Sequence, residues 1–137
     1  MRTAVDSSVL LAILLDDPHF ADGAEQLLRA SAAAGSLIVC ECVLAEVRPA
    51  LNEDELDSML GDFGIEFVPS TRESALLAGK MMQMYLSRTA GRRTRVVPDF
   101  LIGAHAKVLS DRLLAQDRGF YRDYFAGLTV VAPSRVG

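Results

Sequence analysis

The chain has 137 residues, 50% of them hydrophobic and 23% charged, with 18 Asp and Glu against 14 Lys and Arg for a net charge of -4. That length suits one domain, spanning 1–137, with a single well-filled core, and the composition excludes a disordered or fibrous chain. No apolar stretch reaches the roughly 18 residues of a membrane span, and the acidic balance argues against a protein that coats itself in nucleic acid, while leaving room for a local basic stripe.

In chain order, "TAVDSSVLLAILLDD" (residues 3–17) comes first, with a strand predicted over 3–6. Asp6 sits inside the apolar run, which also breaks any signal-peptide pattern. Burying an unpaired carboxylate costs several kcal/mol, so Asp6 calls for a role as helix cap, salt-bridge partner or metal ligand. "PHFADGAEQLLRASAAAG" (18–35) opens on an Asp-Pro signal and stops at Gly35, which predicts a helix. A second strand follows at "SLIVC" (36–40), then the short helical segment "CVLAEVR" carrying Glu46. Cys40 and Cys42 form neither a disulfide framework nor a zinc site with the only two histidines, His19 and His105, both distant in sequence. They are expected to be reduced, packed thiols in a cytoplasmic protein.

"NEDELDSMLGDFG" (52–64) begins with Asn52 and an acidic first turn, both favourable at a helix N-terminus. A third strand is predicted at "IEFV" (65–68), then a helix over "STRESALLAGKMMQMYLSRT" with Ser70 or Thr71 as cap. "SRTAGRRTRVVP" (87–98) is a basic loop, and "PDFLIGAHAKVLSD" after it is a helix opened by Pro98. The last strands fall at "RLLAQ" (112–116) and "LTVVA" (128–132). The strands are almost continuously apolar, as expected when both faces are covered. Strands alternating with helices predict an α/β fold with a largely parallel sheet.

Functional crevices in such sheets lie beyond the carboxyl ends of the strands. Four acids are delivered there: Asp6 after the first strand, Glu46 after the second, Asp99 at the start of the helix behind the basic loop, and Asp117 after the fourth strand. Each has an ordinary reading alone, as a cap, a turn residue or a solvated helix position. Together they would raise one another's pKa unless a cation neutralised them. Oxygen donors without thiolate or imidazole favour Mg²⁺, with Mn²⁺ as the second choice. Arg88, Arg92, Arg93 and Arg95 could lead phosphates past this acidic edge or simply be solvated loop residues. Phe120 and Phe125 read as core. His105, six positions after Asp99, lies on another helical face and reads as structural rather than as a general base.

At these four places the sequence resembles the PIN domain, in particular the VapC-like ribonuclease toxins of toxin-antitoxin pairs. The matching pieces are "AVDSSVLLAIL", "CECVLAEV", "VVPDFLIGAHA" and "RLLAQDRGFY", in the family's order and over essentially the whole chain. The resemblance implies a three-layer α/β/α sandwich with five parallel strands in the order 3-2-1-4-5, and Asp6 and Asp117 facing each other at the topological switch point. It also implies a Mg²⁺-dependent endoribonuclease in which Asp6, Glu46, Asp99 and Asp117 are the catalytic, metal-binding acids. Ser8 would support a metal ligand or a water on the metal, or else cap the helix that follows, while Arg92, Arg93 and Arg95 would contact RNA. The expected partners are an RNA substrate, a cognate antitoxin protein and a second copy in a homodimer. PIN domains commonly carry Ser or Thr two residues before the last acid, where this chain has Ala115. The alternative is therefore a PIN-like scaffold with weak or no catalysis that binds a protein or RNA partner. A receiver-like phosphoacceptor domain is a poorer match, because "RLLAQD" and "LTVVAP" offer no lysine at a late strand end.

Overall fold

The computed structural model describes residues 1–92 and 95–136. Five strands, β1 (Arg2–Val5), β2 (Ser36–Val39), β3 (Ile65–Phe67), β4 (Arg112–Leu114) and β5 (Thr129–Val131), form one sheet in the order β3-β2-β1-β4-β5. Every neighbouring pair is parallel, so each connection must cross over a face of the sheet. Helices α1 (Ser7–Leu14), α2 (Ala21–Ala34), α3 (Glu41–Val47), α4 (Glu53–Phe63), α5 (Arg72–Arg88), α6 (Val97–Leu109) and α7 (Arg118–Tyr124) supply those crossovers. The strand order and the flanking helices are those of the expected α/β/α sandwich.

Consecutive residues on the central strands are buried: Thr3, Ala4 and Val5 on β1, and Leu37, Ile38 and Val39 on β2. Because successive side chains point to opposite faces, both faces of the sheet must be covered. This is the physical content of the non-alternating apolar runs in the sequence. The buried helix residues Val9, Leu10, Ala24, Leu28, Val43 and Phe100 fill the two interfaces.

Local chemistry accounts for several boundaries. Asn52 caps α4 by accepting from Glu55 N at 2.8 Å while Glu55 Oε1 accepts from Asn52 N at 3.0 Å, a reciprocal capping box. Gly64 ends the same helix with φ 67°, a left-handed conformation that glycine adopts without steric cost. Thr71, one of the two expected caps, opens α5 by accepting from Ser74 N at 3.1 Å. The strands are shorter than the sequence suggests, ending at Val5 and Leu114 rather than at Asp6 and Gln116. Helix α7 is the element the sequence did not predict; at 7 residues, with three aromatics, it carries too little periodicity to register.

The order of strands fixes where a crevice opens. From β1 the chain moves to β2 on one side, and β4 later joins on the other. The adjacent carboxyl ends of β1 and β4 are tied together by Asp6 N donating to Leu114 O at 2.9 Å. Residues just past both strands are thus held side by side.

Candidate metal and phosphate site

Asp6 occupies the N-cap position of α1, with no side-chain capping bond. The residue is only 8% exposed, and its carboxylate accepts a 2.7 Å hydrogen bond from Ser8 Oγ. Ser8 Oγ in turn accepts from Gln116 N at 3.2 Å, so the hydroxyl bridges the ends of β1 and β4. Burial pushes the Asp6 pKa above the ordinary carboxylate value; the Ser8 bond opposes this and the Asp99 charge adds to it. Glu46 lies on α3 and accepts from Ser7 Oγ at 3.1 Å. Its pKa is raised by desolvation, opposed by the Ser7 bond, with Asp6 and Asp99 as repelling charges. Asp99 stands in the first turn of α6, where its Oδ2 accepts from Val96 N at 3.3 Å.

Asp117 is differently placed. It caps α7, accepting from Phe120 N at 3.2 Å, and it is ion-paired with Arg95. Partial desolvation raises its pKa, but the Arg95 hydrogen bond, the cap bond to Phe120 and the guanidinium charge outweigh it, so the carboxyl is held below the ordinary value. Arg95 also lies over the Phe120 ring, 4.5 Å from its centroid.

Asp6, Ser8, Arg95, Asp99, Asp117 and Tyr121 line one cleft of about 340 Å³, and Glu46 is joined to it through Ser7, another lining residue. Asp6 and Asp117 therefore line the same cleft at the switch point. Of the loop arginines, Arg95 reaches the cleft, Arg92 is exposed with Nε 3.4 Å from Thr89 O, and Arg93 falls outside the described residues. His105 is 2% exposed and its Nε2 lies 2.7 Å from Val68 O, which is the structural role expected of it. Phe120 and Phe125 are buried as expected. Ala115 is fully buried and brings no hydroxyl to the site.

Two features lay beyond sequence reasoning: the Arg95–Asp117 pair and the inward position of Tyr121, which is 3% exposed. The spacing of Tyr121, four residues after the Asp117 cap, was the available signal, since such positions share a helical face. It was unusable without knowing that α7 exists.

Donor chemistry suits a hard divalent ion. The cleft offers carboxylate oxygens with no imidazole or thiol among its lining residues. Among the described residues, the acids and thiols whose ligand atoms lie within 4.8 Å of one another are instead Cys40, Glu41 and Cys42. That set is unsuited to Mg²⁺: burial pushes both thiols up, Cys42 to about 12. Its Glu41 is already held by Ser70 N at 3.0 Å and Ser70 Oγ at 3.0 Å. Among the described residues no three of the cleft carboxylates bring ligand atoms within 4.8 Å of one another.

Comparison with solved structures gives the same topology at low identity. A chain of the VapBC2 complex from Rickettsia felis, bound to a DNA fragment from its promoter, superposes with TM-score 0.73 at 16% identity, over 98% of this chain and 100% of the other. VapBC-1 from nontypeable Haemophilus influenzae gives 0.66 at 14% identity, over 96% and 98%. FitAcB from Neisseria gonorrhoeae gives 0.60 at 19% identity, over 93% and 95%. No curated protein gives a significant sequence match. The family model for the PIN domain matches residues 3–125, a span that holds all four acids and every strand but the last. On that match this chain belongs to the PIN domain family.

Proposed function

We propose that this protein is a Mg²⁺-dependent endoribonuclease that acts as the toxin of a toxin-antitoxin pair. The observation that carries the reading is the uncompensated charge of Asp6, Glu46 and Asp99. Among the described residues no cation forms a salt bridge with any of the three, and Asp6 and Glu46 hold raised pKa values, by burial first and then by the Asp99 charge, with Asp6 adding to the rise at Glu46. A fold keeps such a cluster against electrostatics when a ligand of opposite charge uses it.

Asp6 and Asp99 are the direct ligands in this reading, with Glu46 adding charge through the Ser7 side and Asp117 completing the set. A bound Mg²⁺ or Mn²⁺ supplies a lowered pKa for water and an offset to the charge of the phosphate oxygens. The chain's own residues do the rest. Ser8 fixes the Asp6 carboxylate by its 2.7 Å bond, a supporting contact of the kind that holds ligands in place. Arg95, at the cleft mouth with Arg92 and Arg93 near it in sequence, draws the phosphate backbone toward the acids. The antitoxin partner is supported by structural neighbours that come from VapBC and FitAcB complexes; a homodimer and a cytoplasmic site of action complete the proposal. Among the described residues no helix is long and apolar enough to cross a membrane.

A second reading has its own support. Arg95 already neutralises Asp117 and Ala115 lacks the hydroxyl common in the family, which together describe a binding scaffold with little catalysis. Incubating the antitoxin-free protein with a panel of structured RNAs, with and without Mg²⁺, separates the two. Cleavage that needs Mg²⁺ and disappears in Asp6→Asn and Asp99→Asn is the expected result. Equal cleavage by the variants would overturn the site. RNA or protein binding without cleavage by the wild type would establish the scaffold.

A further inference from the structure

Tyr121 lines the cleft with a hydroxyl donor left over. Its ring is locked among aromatics, 5.1 Å from Phe120 at 71° and 6.3 Å from Phe125 between centroids, and the residue is 3% exposed. A phenol this deeply placed ordinarily gives its hydroxyl a hydrogen-bond partner. Among the described residues every fully enclosed side-chain polar atom does have one, yet no hydrogen bond engages the Tyr121 hydroxyl. The hydroxyl therefore opens onto the cleft that its side chain lines.

The other hydroxyl donors there are already engaged, and Gln116 Nε2 and one guanidinium nitrogen of Arg95 each have a partner. Ser7 Oγ donates to Glu46 and Ser8 Oγ to Asp6, Gln116 Nε2 donates to Ser8 O at 3.3 Å, and Arg95 is paired with Asp117. Ala115, where the family commonly has a hydroxyl, contributes none. The geometry points to the Tyr121 hydroxyl as the donor that binds a phosphate oxygen of the nucleic-acid strand held in this cleft, a role that rests on the phosphodiester reading of the site. Burial, and then the charges of Asp6, Asp99 and Glu46, push the phenol's pKa far up, so the group remains protonated. A neutral donor suits this position, because it contacts an anion without drawing carboxylates away from a metal ion as a second guanidinium would.

The test compares wild type, Tyr121→Phe, Tyr124→Phe and Asp99→Asn on a fluorescein-labelled, single-stranded RNA pool of randomised sequence. Equilibrium binding is read by anisotropy in Ca²⁺, and kcat/KM for cleavage in Mg²⁺. Tyr121→Phe removes one oxygen and keeps the ring; it should lose about tenfold or more in kcat/KM and bind more weakly, with an unchanged melting temperature. Tyr124→Phe removes a phenol outside the cleft and should match wild type. Wild-type binding and cleavage by Tyr121→Phe beside a dead Asp99→Asn would overturn this role and leave the nuclease reading intact. A drop in melting temperature that accounts for the loss would overturn it too, by making the hydroxyl structural. Weaker binding by Tyr121→Phe when wild type binds but does not cleave would sustain the contact and remove the hydrolysis. A wild type that neither binds nor cleaves would remove both.

Discussion

The two sides of the cleft carry the same residue type and opposite electrostatics. On one side Asp6 and Glu46 are held with raised pKa values, chiefly by burial, with the Asp99 charge adding to both and the Asp6 charge to Glu46. On the other, Asp117 caps a helix, pairs with Arg95 and is held low. The Asp117 side is satisfied within the chain and contributes to stability. The Asp6 side is left at a cost within the chain, which a bound cation or a proton would offset. Position at a strand end therefore does not settle what a carboxylate does; its neighbours across the sheet edge do. Active sites commonly give up stability in this way.

This contrast can be broken experimentally, and the largest effect tests it first. Asp6→Asn and Asp99→Asn should each lower kcat/KM for RNA cleavage by roughly a thousandfold or more, whereas Asp117→Asn should cost about 10–100-fold, as for a supporting group. Equal losses, measured under saturating Mg²⁺, would erase the distinction between the two sides. Next in size is the ion's own effect. Mg²⁺ at a hundredfold excess over its Kd should stabilise wild type by about 2.7 kcal/mol in thermal melts. Asp6→Asn and Asp99→Asn should lose most of that gain, and Arg95→Ala should keep it.

A smaller effect has a counterintuitive sign. In EDTA at pH 7, Asp6→Asn should melt higher than wild type, by about 3–5 °C for each kcal/mol of relieved burial and repulsion. The Asp6 pKa is raised on folding from a reference of 3.8, so its ionised form destabilises the fold above the raised value. That penalty fades as pH falls and is gone below the reference value. The melting advantage of the variant must shrink accordingly in acid; an advantage independent of pH would mean that charge is not its cause. Smallest is Arg95→Ala, which should cost about 0.5 kcal/mol in urea unfolding, since the pair is partly exposed and screened by solvent. Asp117 is held low in the fold, so the pair's contribution is present above the unfolded carboxylate pKa and is lost as pH falls through the lowered folded value. Salt should reduce it as well.

Much of this was legible in the chain itself. The unbroken apolar runs at 3–6 and 36–40 required a sheet covered on both faces, and β1 and β2 are buried on consecutive residues. Asn52, Gly64, Thr71 and Pro98 punctuated the helices because capping and backbone restriction act over a few residues and leave a local mark. Asp6 and Asp117 could be placed just past strand ends for the same reason. What stayed hidden was whatever depends on segments meeting in space. Helix α7 is too short for a periodic signal, so neither the capping role of Asp117 nor the helical face it shares with Tyr121 could be read.

By itself, then, the sequence determined the α/β alternation, the acids at the strand ends and the helix boundaries, all set by period, propensity and capping along a few turns of chain. Only the tertiary structure decided which carboxylate is neutralised and which is not. Arg95 and Asp117 are 22 residues apart, and Ser7 and Glu46 are 39. Pairings over such separations follow from strand order and helix packing, and the burial that lifts Asp6 while sparing Asp117 exists only once the sheet has closed around one of them.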